Sequence, residues 1–176
     1  DISRRTHILC SEDTFTDSPT FEQSYWGGDA QVSAAVNTFY FGEYELIKNG
    51  LKQYPLSRKY TKLLSALAPT DWETSIPLWT MNWIITIDEY IYNSGDEKVI
   101  DILYPEVKET LDYYKKFINE EGALSLAAWH MIDWAPMNIY NDGVLTPEQG
   151  IMAHCFKILK KLALKVGDIE EANKCD

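Results

Sequence analysis

Three carboxylates, a tryptophan and two glycines lie close together near the start of this 176-residue sequence, within residues 17–29. The carboxylates are Asp17, Glu22 and Asp29, and Trp26 lies between the last two. Carboxyl groups in different surroundings can serve as proton donor, proton acceptor or hydrogen-bond acceptor for a polar ligand. The spacing therefore predicts a site for acid–base chemistry in this segment.

Glu22 is the residue in this segment whose neighbours suit a proton donor. It lies beside Phe21, Tyr25 and Trp26, and an apolar wall keeps a carboxyl group protonated, as a general acid must be. Asp29 is expected where a helix begins, and backbone N–H groups and the helix dipole favour the ionised form there. The two carboxyl groups are therefore predicted to differ in protonation.

Each of these residues also has an ordinary structural interpretation. Asp29 alone is most simply a helix N-cap, and Asp17 before Ser18-Pro19 is a typical turn residue. Trp26 alone is more often part of a core. Their combination in one long loop that leads into an apolar helix favours a functional site.

Aromatic residues make up 13% of the chain, with six Trp, eleven Tyr and six Phe. Rings in this number need either a large core or a ligand with flat apolar faces. The formal net charge of −11 argues against nucleic acid, whose recognition needs a basic surface, and against an anionic membrane surface. A neutral ligand such as a sugar is compatible with this charge.

Helical periodicity runs through most of the remaining sequence. Residues 30–41 are apolar-rich, follow Asp29 and end before Gly42, which predicts a helix with that aspartate as its N-cap. A second helix is predicted from Glu43 to about Tyr54, where Pro55 ends it. These two helices would form a first hairpin.

The second half of the chain predicts further helices, one buried and the next amphipathic. Residues 77–92 are apolar almost all round, so a helix there would be central to a large core. Pro105 is predicted at the first position of an amphipathic outer helix. The run Thr146-Pro147-Glu148-Gln149 predicts a capping box for a helix that stops at Gly167, after which Asp168 caps a short last helix.

Two long segments, residues 6–28 and about 123–144, are predicted to be non-helical. Loops of this length are usually functional or disordered. Their content of Trp, Asp and Glu argues against disorder. The sequence has no fixed internal period, which argues against a repeat solenoid.

The cysteines and histidines do not point to a metal or a cofactor. Cys10, Cys155 and Cys175 are far apart and form neither a disulfide framework nor a zinc-binding spacing. The three histidines do not cluster either. His130 lies beside Trp129, where it is either a ligand contact or, more simply, a satisfied structural histidine.

The segment around Glu22 resembles a known family. The run Asp17-x-Pro19-x-x-Glu22-x-x-x-Trp26-x-Gly28-Asp29 is similar to the signature of the α-L-rhamnosidase family of glycoside hydrolases, as is the preceding Cys10-x-x-Asp13-Thr14-Phe15. Further segments resemble the same family in the same order: Ala68-Pro69-Thr70-Asp71-Trp72, Ile76-Pro77-x-Trp79 and Met131-Ile132-Asp133-Trp134-Ala135-Pro136. The resemblance covers most of the chain, from about Arg4 to Ala172.

The resemblance implies an all-α fold, an (α/α)6 barrel of six helical hairpins with the site in loops at one end. It implies hydrolysis of terminal α-L-rhamnosides with inversion of configuration, and no cofactor is expected. Glu22 would protonate the leaving oxygen, while Asp17 and Asp29 would hydrogen-bond sugar hydroxyls and tune that acid. The residues implied to line the sugar subsite are Trp26, Trp79 and one of Trp129 or Trp134, with assistance from Asp133.

Length and two substitutions set this chain apart from the family pattern. Six hairpins need roughly three hundred residues at ordinary helix and loop lengths, so 176 residues are expected to form about half of the barrel. Residues 1–176 would be the N-terminal part of the catalytic domain, with the general base beyond Asp176 in the remainder of the barrel. This piece alone is expected to be inactive.

Two residues also depart from the family pattern. Phe21 stands where many members have Arg, and Leu78 replaces an Asp before Trp79. Both differences bear on substrate choice.

Three alternatives remain open at this point. One is another six-hairpin glycosidase that acts on a different sugar, and a second is a non-catalytic carbohydrate-binding helical module. A third is a scaffold of helical hairpins, but three acids beside a tryptophan argue against it. The expected partner is a rhamnose-containing oligosaccharide or glycoside, not nucleic acid or a membrane. Bacterial cytoplasm, periplasm and secretion are all compatible with the sequence.

Overall fold

The structure is a computed structural model that describes residues 1–58, 62–134 and 143–175. These residues form seven α-helices and two short strands: α1 (Ile2–Leu9), β1 (Tyr25–Trp26), α2 (Gly27–Phe41), α3 (Glu45–Gln53), β2 (Leu67–Ala68), α4 (Pro77–Ser94), α5 (Ile100–Tyr114), α6 (Thr146–Val166) and α7 (Ile169–Lys174). Short 3₁₀ turns cover Tyr54–Ser57, Glu97–Val99 and Lys115–Phe117. β1 and β2 pair antiparallel. Within the three described ranges, none of the helices combines the length and the apolar character that a membrane crossing requires.

The helices form two layers that alternate along the chain. α2, α4 and α6 lie side by side with α4 in the middle, whereas α3 packs against α4 and α5, and both α5 and α7 pack against α6. Each helix of the first layer is followed in the sequence by one of the second, which is the order of three consecutive helical hairpins, α2–α3, α4–α5 and α6–α7. The fold is therefore all-α and corresponds to part of a six-hairpin barrel, which confirms the predicted fold class.

α4 supplies the centre of the hydrophobic core. Trp83, Ile84 and Ile87 are buried almost completely, and each buried isoleucine contributes about 1.5–3 kcal/mol relative to an exposed one. The Trp83 indole N–H donates to the backbone carbonyl of Leu51 in α3 at 3.0 Å, so the ring is buried without an unpaired donor. The predicted buried helix over residues 77–92 is confirmed, and it continues to Ser94.

Two expectations for the N-terminal region are wrong. α1 extends into the segment 6–28 that is predicted to be non-helical, and His7 is its buried residue. Asp29 is not an N-cap, because α2 begins at Gly27 and Asp29 is the third residue of the helix. The Gly27 N–H donates to the Ala66 carbonyl at 3.0 Å. A contact with a segment distant in sequence thus holds the start of α2, and local capping preferences do not decide it.

Pro105 lies inside α5 and not at its first position, which corrects the prediction. The chain enters α5 earlier, through the 3₁₀ turn Glu97–Val99. Proline has no N–H, so the carbonyl of Asp101 lacks its usual partner one turn away. Both residues are exposed, and water can satisfy this carbonyl.

The capping box predicted at Thr146 does not form. α6 begins at Thr146 itself, with Leu145 in the N-cap position and no side-chain cap. The Gln149 side-chain amide donates to the carbonyls of Leu124 (3.1 Å) and Leu145 (3.3 Å). Gln149 therefore ties the segment before α6 to the helix instead of closing a box.

Helix ends were predicted more accurately than helix starts. α3 lies within the predicted range from Glu43 to about Tyr54. α6 stops at Val166 and is followed, as predicted, by Gly167, whose φ of +80° favours glycine. Asp168 caps α7 as predicted, because its carboxylate accepts the Glu171 N–H at 3.0 Å. Bonds from the Tyr104 hydroxyl and the Lys108 ammonium to Asp168 hold the pKa of this carboxyl well below its usual range.

Candidate active site

A cleft of about 610 Å³ opens at the N-terminal ends of α2 and α4. Ligand pockets in proteins typically measure roughly 300–1,000 Å³. Three stretches of chain enclose it: residues 17–29, residues 67–79 and residues 129–134. The described residues that line it are Asp17, Glu22, Ser24, Trp26, Asp29, Leu67, Trp72, Trp79, Trp129, Met131 and Trp134.

The loop from Asp17 to Ser24 closes on itself and presents Glu22. The Asp17 N–H donates to the Ser24 carbonyl at 3.0 Å, and the Ser24 N–H donates to Asp17 Oδ1 at 3.0 Å. Gln23 has a φ of +50°, a conformation that is uncommon outside glycine and recurs at functional sites. Its side chain donates to the Pro19 carbonyl at 2.9 Å, which secures the turn beside Glu22.

The Glu22 side chain is exposed, and its Oε2 accepts a hydrogen bond from Trp26 Nε1–H at 2.7 Å. Phe21 is 88% exposed and Tyr25 is buried in the core, so these two rings do not form the predicted apolar wall. That expectation is wrong, because Phe21 is left in solvent and Tyr25 packs into the core. Glu22 is instead oriented by an indole N–H.

Asp29 lines the cleft, close enough to the other two acids for their charges to act on its carboxyl group. Desolvation by the surrounding protein raises the pKa of Asp29, and the negative charges of Asp17 and Glu22 add to the rise. The backbone N–H of Asp29 itself acts in the opposite direction. The direction is the reverse of that expected from a helix N-terminus alone, since desolvation and two like charges outweigh the helix.

Replacing Asp29 with asparagine is expected to raise the melting temperature of the protein at pH 7. The raised pKa means that ionised Asp29 costs folding free energy at neutral pH, and asparagine removes the charge. The gain should be full well above the raised pKa and should disappear below the ordinary aspartate value of 3.8. Thermal unfolding of both proteins between pH 3 and pH 8 measures it.

Asp101→Asn is the matched control for this prediction. Asp101 is also an acid in the first turn of a helix, α5, but it is exposed away from the cleft. Removing its charge should lower stability slightly or not at all. An Asp29→Asn protein that melts below the wild type at pH 7 would contradict the argument.

Tryptophan rings form much of the cleft surface. Trp26 and Trp72 meet edge to face with centroids 6.1 Å apart, and Trp129 and Trp134 are also 6.1 Å apart. Trp79, near the start of α4, packs directly on Gly28. Flat apolar faces beside carboxylates suit a sugar, which has apolar C–H faces and a polar rim of hydroxyls.

The structure brings together seven of the eight residues that the sequence nominates, namely Asp17, Glu22, Trp26, Asp29, Trp79, Trp129 and Trp134. Asp133 is the exception. Its carboxylate is exposed and accepts the N–H of Trp134 at 2.7 Å. It is not among the described residues that line the cleft.

Four lining residues were not nominated: Ser24, Leu67, Trp72 and Met131. Trp72 is 55% exposed, and the sequence contains a signal for it, because a large ring in a short polar segment between helices has no helix face to pack on. Leu67 and Met131 carry no such signal. They belong to a small apolar cluster beneath the cleft, and so does Leu78, the residue that replaces an Asp of the family pattern.

The chemistry of this cleft comes from carboxyl and indole groups. In the part of the chain that the structure describes, no group of three or more His, Cys, Asp or Glu side chains is arranged to hold a metal ion. The carboxylates among the described lining residues are Asp17, Glu22 and Asp29, and all three come from one segment. The segment 17–29 thus supplies three carboxyl groups to one side of the cleft.

Comparison with known families matches residues 1–175 to the bacterial α-L-rhamnosidase six-hairpin glycosidase domain. A search of curated protein sequences found no match. The family match covers nearly the whole chain, including the cleft and all three hairpins.

Among the solved structures that are similar to this chain are three rhamnosidases. The GH78 family rhamnosidase of Bacillus sp. GL1 aligns with 99% of the chain at a TM-score of 0.93 and 37% identity. The rhamnosidase from Klebsiella oxytoca with rhamnose bound and the α-L-rhamnosidase from Dictyoglumus thermophilum each align with 97% of it at a TM-score of 0.73, with 19% and 23% identity. The last two are similar in fold alone. The chain spans 18%, 36% and 20% of these three proteins, in the order given.

Proposed function

Because this chain belongs to the bacterial α-L-rhamnosidase six-hairpin glycosidase family, we propose that it forms the acid side of an active site that hydrolyses terminal α-L-rhamnosides. Residues 1–176 would be the N-terminal part of the catalytic domain. One observation supports this more than any other. The three carboxylates of residues 17–29 meet four tryptophans of the nominated set in one cleft of suitable volume.

Glu22 is the proposed general acid that protonates the leaving glycosidic oxygen. Its position at the tip of a closed loop and its bond from the Trp26 indole give the carboxyl group a defined direction at the cleft. Asp17 and Asp29 would accept hydrogen bonds from sugar hydroxyls. Both carboxyl groups line the same cleft as Glu22.

The faces of the tryptophans and the small apolar cluster beneath the cleft would hold the sugar ring. Trp26, Trp79, Trp129 and Trp134 would contact its C–H faces and the methyl group of a 6-deoxy sugar. Asp133 would assist at the edge of the cleft. A pocket of this kind favours a neutral deoxy sugar over an anionic one, because three carboxylates already lie in it.

Inversion of configuration needs a second carboxylate that activates water on the opposite face of the sugar. In inverting glycosidases the two carboxyl groups lie about 6.5–9.5 Å apart. The described carboxylates of the cleft all come from the acid side. We therefore assign the base to the remainder of the barrel, which would also supply the hairpins that these three do not provide.

Hydrolysis of an aryl α-L-rhamnoside by the full-length protein tests the proposal, with rhamnose release as the readout. The first anomer to appear, followed by proton NMR, should be the inverted one. A matched panel of aryl glycosides addresses the alternatives, since preference for another sugar would indicate a different six-hairpin glycosidase. Saturable binding of L-rhamnose without turnover would indicate a carbohydrate-binding module.

The 176-residue chain alone should release no rhamnose from the same substrate. It lacks a base opposite Glu22 in this proposal, and proton donation alone does not activate water. Turnover by the isolated chain at a rate near that of the full-length protein would contradict the assignment of the base to another part of the barrel.

A further inference from the structure

His130 and Glu148 form a fully buried pair, and the two residues on either side of His130 in the sequence line the cleft. Both side chains are 0% exposed, and His130 Nδ1 lies 2.8 Å from Glu148 Oε2. The other ring nitrogen, Nε2, lies 2.8 Å from the backbone carbonyl of Leu126. His130 is thus a satisfied structural histidine with two partners, the simpler of the two interpretations of this residue.

The Leu126 carbonyl and a Glu148 carboxylate can only accept hydrogen bonds, so each of the two contacts needs its own proton. A neutral histidine and a carboxylate together hold one proton fewer than these two contacts require. The proton either completes an imidazolium facing a carboxylate or lies on Glu148. Burial raises the pKa of the Glu148 carboxyl, against the opposing effect of His130. A buried pair of this kind is costly to desolvate, and apolar residues often stabilise a core as well or better. Its presence therefore calls for a role beyond core stability.

The position of the pair supplies such a role. His130 lies between Trp129 and Met131, and both of these line the cleft. Glu148 lies in the first turn of α6, so its hydrogen bond with His130 fastens the segment of residues 129–131 to that helix. At its other side, the Trp129 N–H donates to the Ser75 carbonyl just before α4 at 3.3 Å.

The segment that carries the aromatic surface is therefore held between the starts of two helices. Trp134 meets Trp129 with ring centroids 6.1 Å apart, so a shift of Trp129 would displace its neighbour as well. We call the surface formed by Trp129, Met131 and Trp134 the aromatic wall. Glu22 lies on a different segment with its own internal bonds, so the wall can move without moving the acid.

We infer that the buried His130–Glu148 pair is a positioning device that sets the aromatic wall and thereby the affinity for the sugar. This inference rests on the proposed function for the identity of the ligand, a terminal 6-deoxyhexose. Loss of the pair should act on sugar binding and leave proton donation by Glu22 largely intact.

Glu148→Gln and Glu148→Ala distinguish positioning from charge. A glutamine amide can donate to Nδ1 of a neutral His130, whose Nε2–H still donates to Leu126, so both hydrogen bonds survive. Glu148→Ala and His130→Ala each remove the link between the wall and α6. His7→Ala is the matched control. His7 in α1 is also a buried histidine, and its Nε2 lies 3.1 Å from Oδ1 of Asn37 in α2.

In the full-length protein, Glu148→Ala and His130→Ala should raise KM for an aryl α-L-rhamnoside about tenfold, the size expected for loss of one aromatic contact. The value of kcat should fall much less than KM rises. Glu148→Gln should keep KM within about twofold of the wild type, since the number of hydrogen bonds is preserved. His7→Ala should leave KM unchanged.

Fluorine NMR of protein labelled with fluorotryptophan provides a readout that needs no turnover. Trp129→Phe and Trp134→Phe assign the two signals, which should shift or broaden in Glu148→Ala and His130→Ala but not in Glu148→Gln or His7→Ala. Unshifted signals and an unchanged KM in the alanine variants would overturn the inference, as would an equal rise of KM in His7→Ala. Wild-type protein without turnover would instead contradict the proposed function, and the fluorine signals alone would then decide the role of the pair.

Discussion

Replacing Glu22 with glutamine in the full-length protein is expected to lower turnover of an α-L-rhamnoside by about two orders of magnitude or more, the usual contribution of a positioned general acid. Glutamine keeps the size of the side chain, and its carbonyl oxygen can still accept the Trp26 Nε1–H that now bonds Oε2 at 2.7 Å. It cannot protonate the leaving oxygen. The loss should therefore appear mainly in kcat.

The leaving group sharpens this test. A good leaving group such as a nitrophenolate needs little protonation, whereas an alkyl alcohol needs nearly complete proton transfer. The rate loss in Glu22→Gln should accordingly be larger for an alkyl rhamnoside than for the nitrophenyl compound. Glu12→Gln, an exposed carboxylate outside the cleft, should match the wild type on both. Equal losses on the two substrates would remove Glu22 from the acid role.

Replacing Gly28 with alanine is expected to damage the fold and the cleft together. A Cβ at position 28 would lie 2.7 Å from two ring carbons of Trp79, well inside van der Waals contact. Relief requires Trp79 to turn away or α2 and α4 to separate, and overpacking of this kind typically costs about 1–3 kcal/mol of stability. A displaced ring in the cleft should also lower kcat/KM by about a hundredfold.

Gly150→Ala is the control for this variant. Gly150 is also in a helix, α6, and a Cβ there meets nothing within 4 Å. This protein should be as stable as the wild type or more stable by up to about 1 kcal/mol, because alanine is the better helix former. Urea unfolding and rhamnoside hydrolysis measure both variants. A Gly28→Ala protein with wild-type stability and turnover would show that the contact with Trp79 relaxes freely.

The sequence is sufficient to predict the elements whose signals are local. The apolar run of α4 and the glycine that ends α6 act within a few residues, so both were predicted. The three carboxylates and Trp26 could be nominated for a related reason, because side chains of these types together in one long loop make a site the simplest explanation. Trp79, Trp129 and Trp134 were nominated only because the family resemblance implies them, and Trp79 lies in α4 itself.

Features that depend on distant contacts could not be predicted in the same way. α1 buries no large apolar side chain in the core, since Ile2, Ile8 and Leu9 are exposed and its buried residue is His7. The start of α2 is held by a bond from Gly27 to Ala66, which no local pattern reveals. The partnership of His130 with Glu148 is likewise invisible, since neither residue type indicates a buried partner 18 positions away.

The glycine pair at the start of α2 has a consequence for how such a protein can diverge. Loops around the cleft can accept substitutions that adapt it to new glycosides while the helical layers remain unchanged. Gly28 does not have this freedom, because the same atom-to-atom contact joins α2 to α4 and seats Trp79 in the cleft. Drift in ligand preference should therefore proceed through residues such as Trp72 and Trp134, and Gly28 should be among the last positions to change.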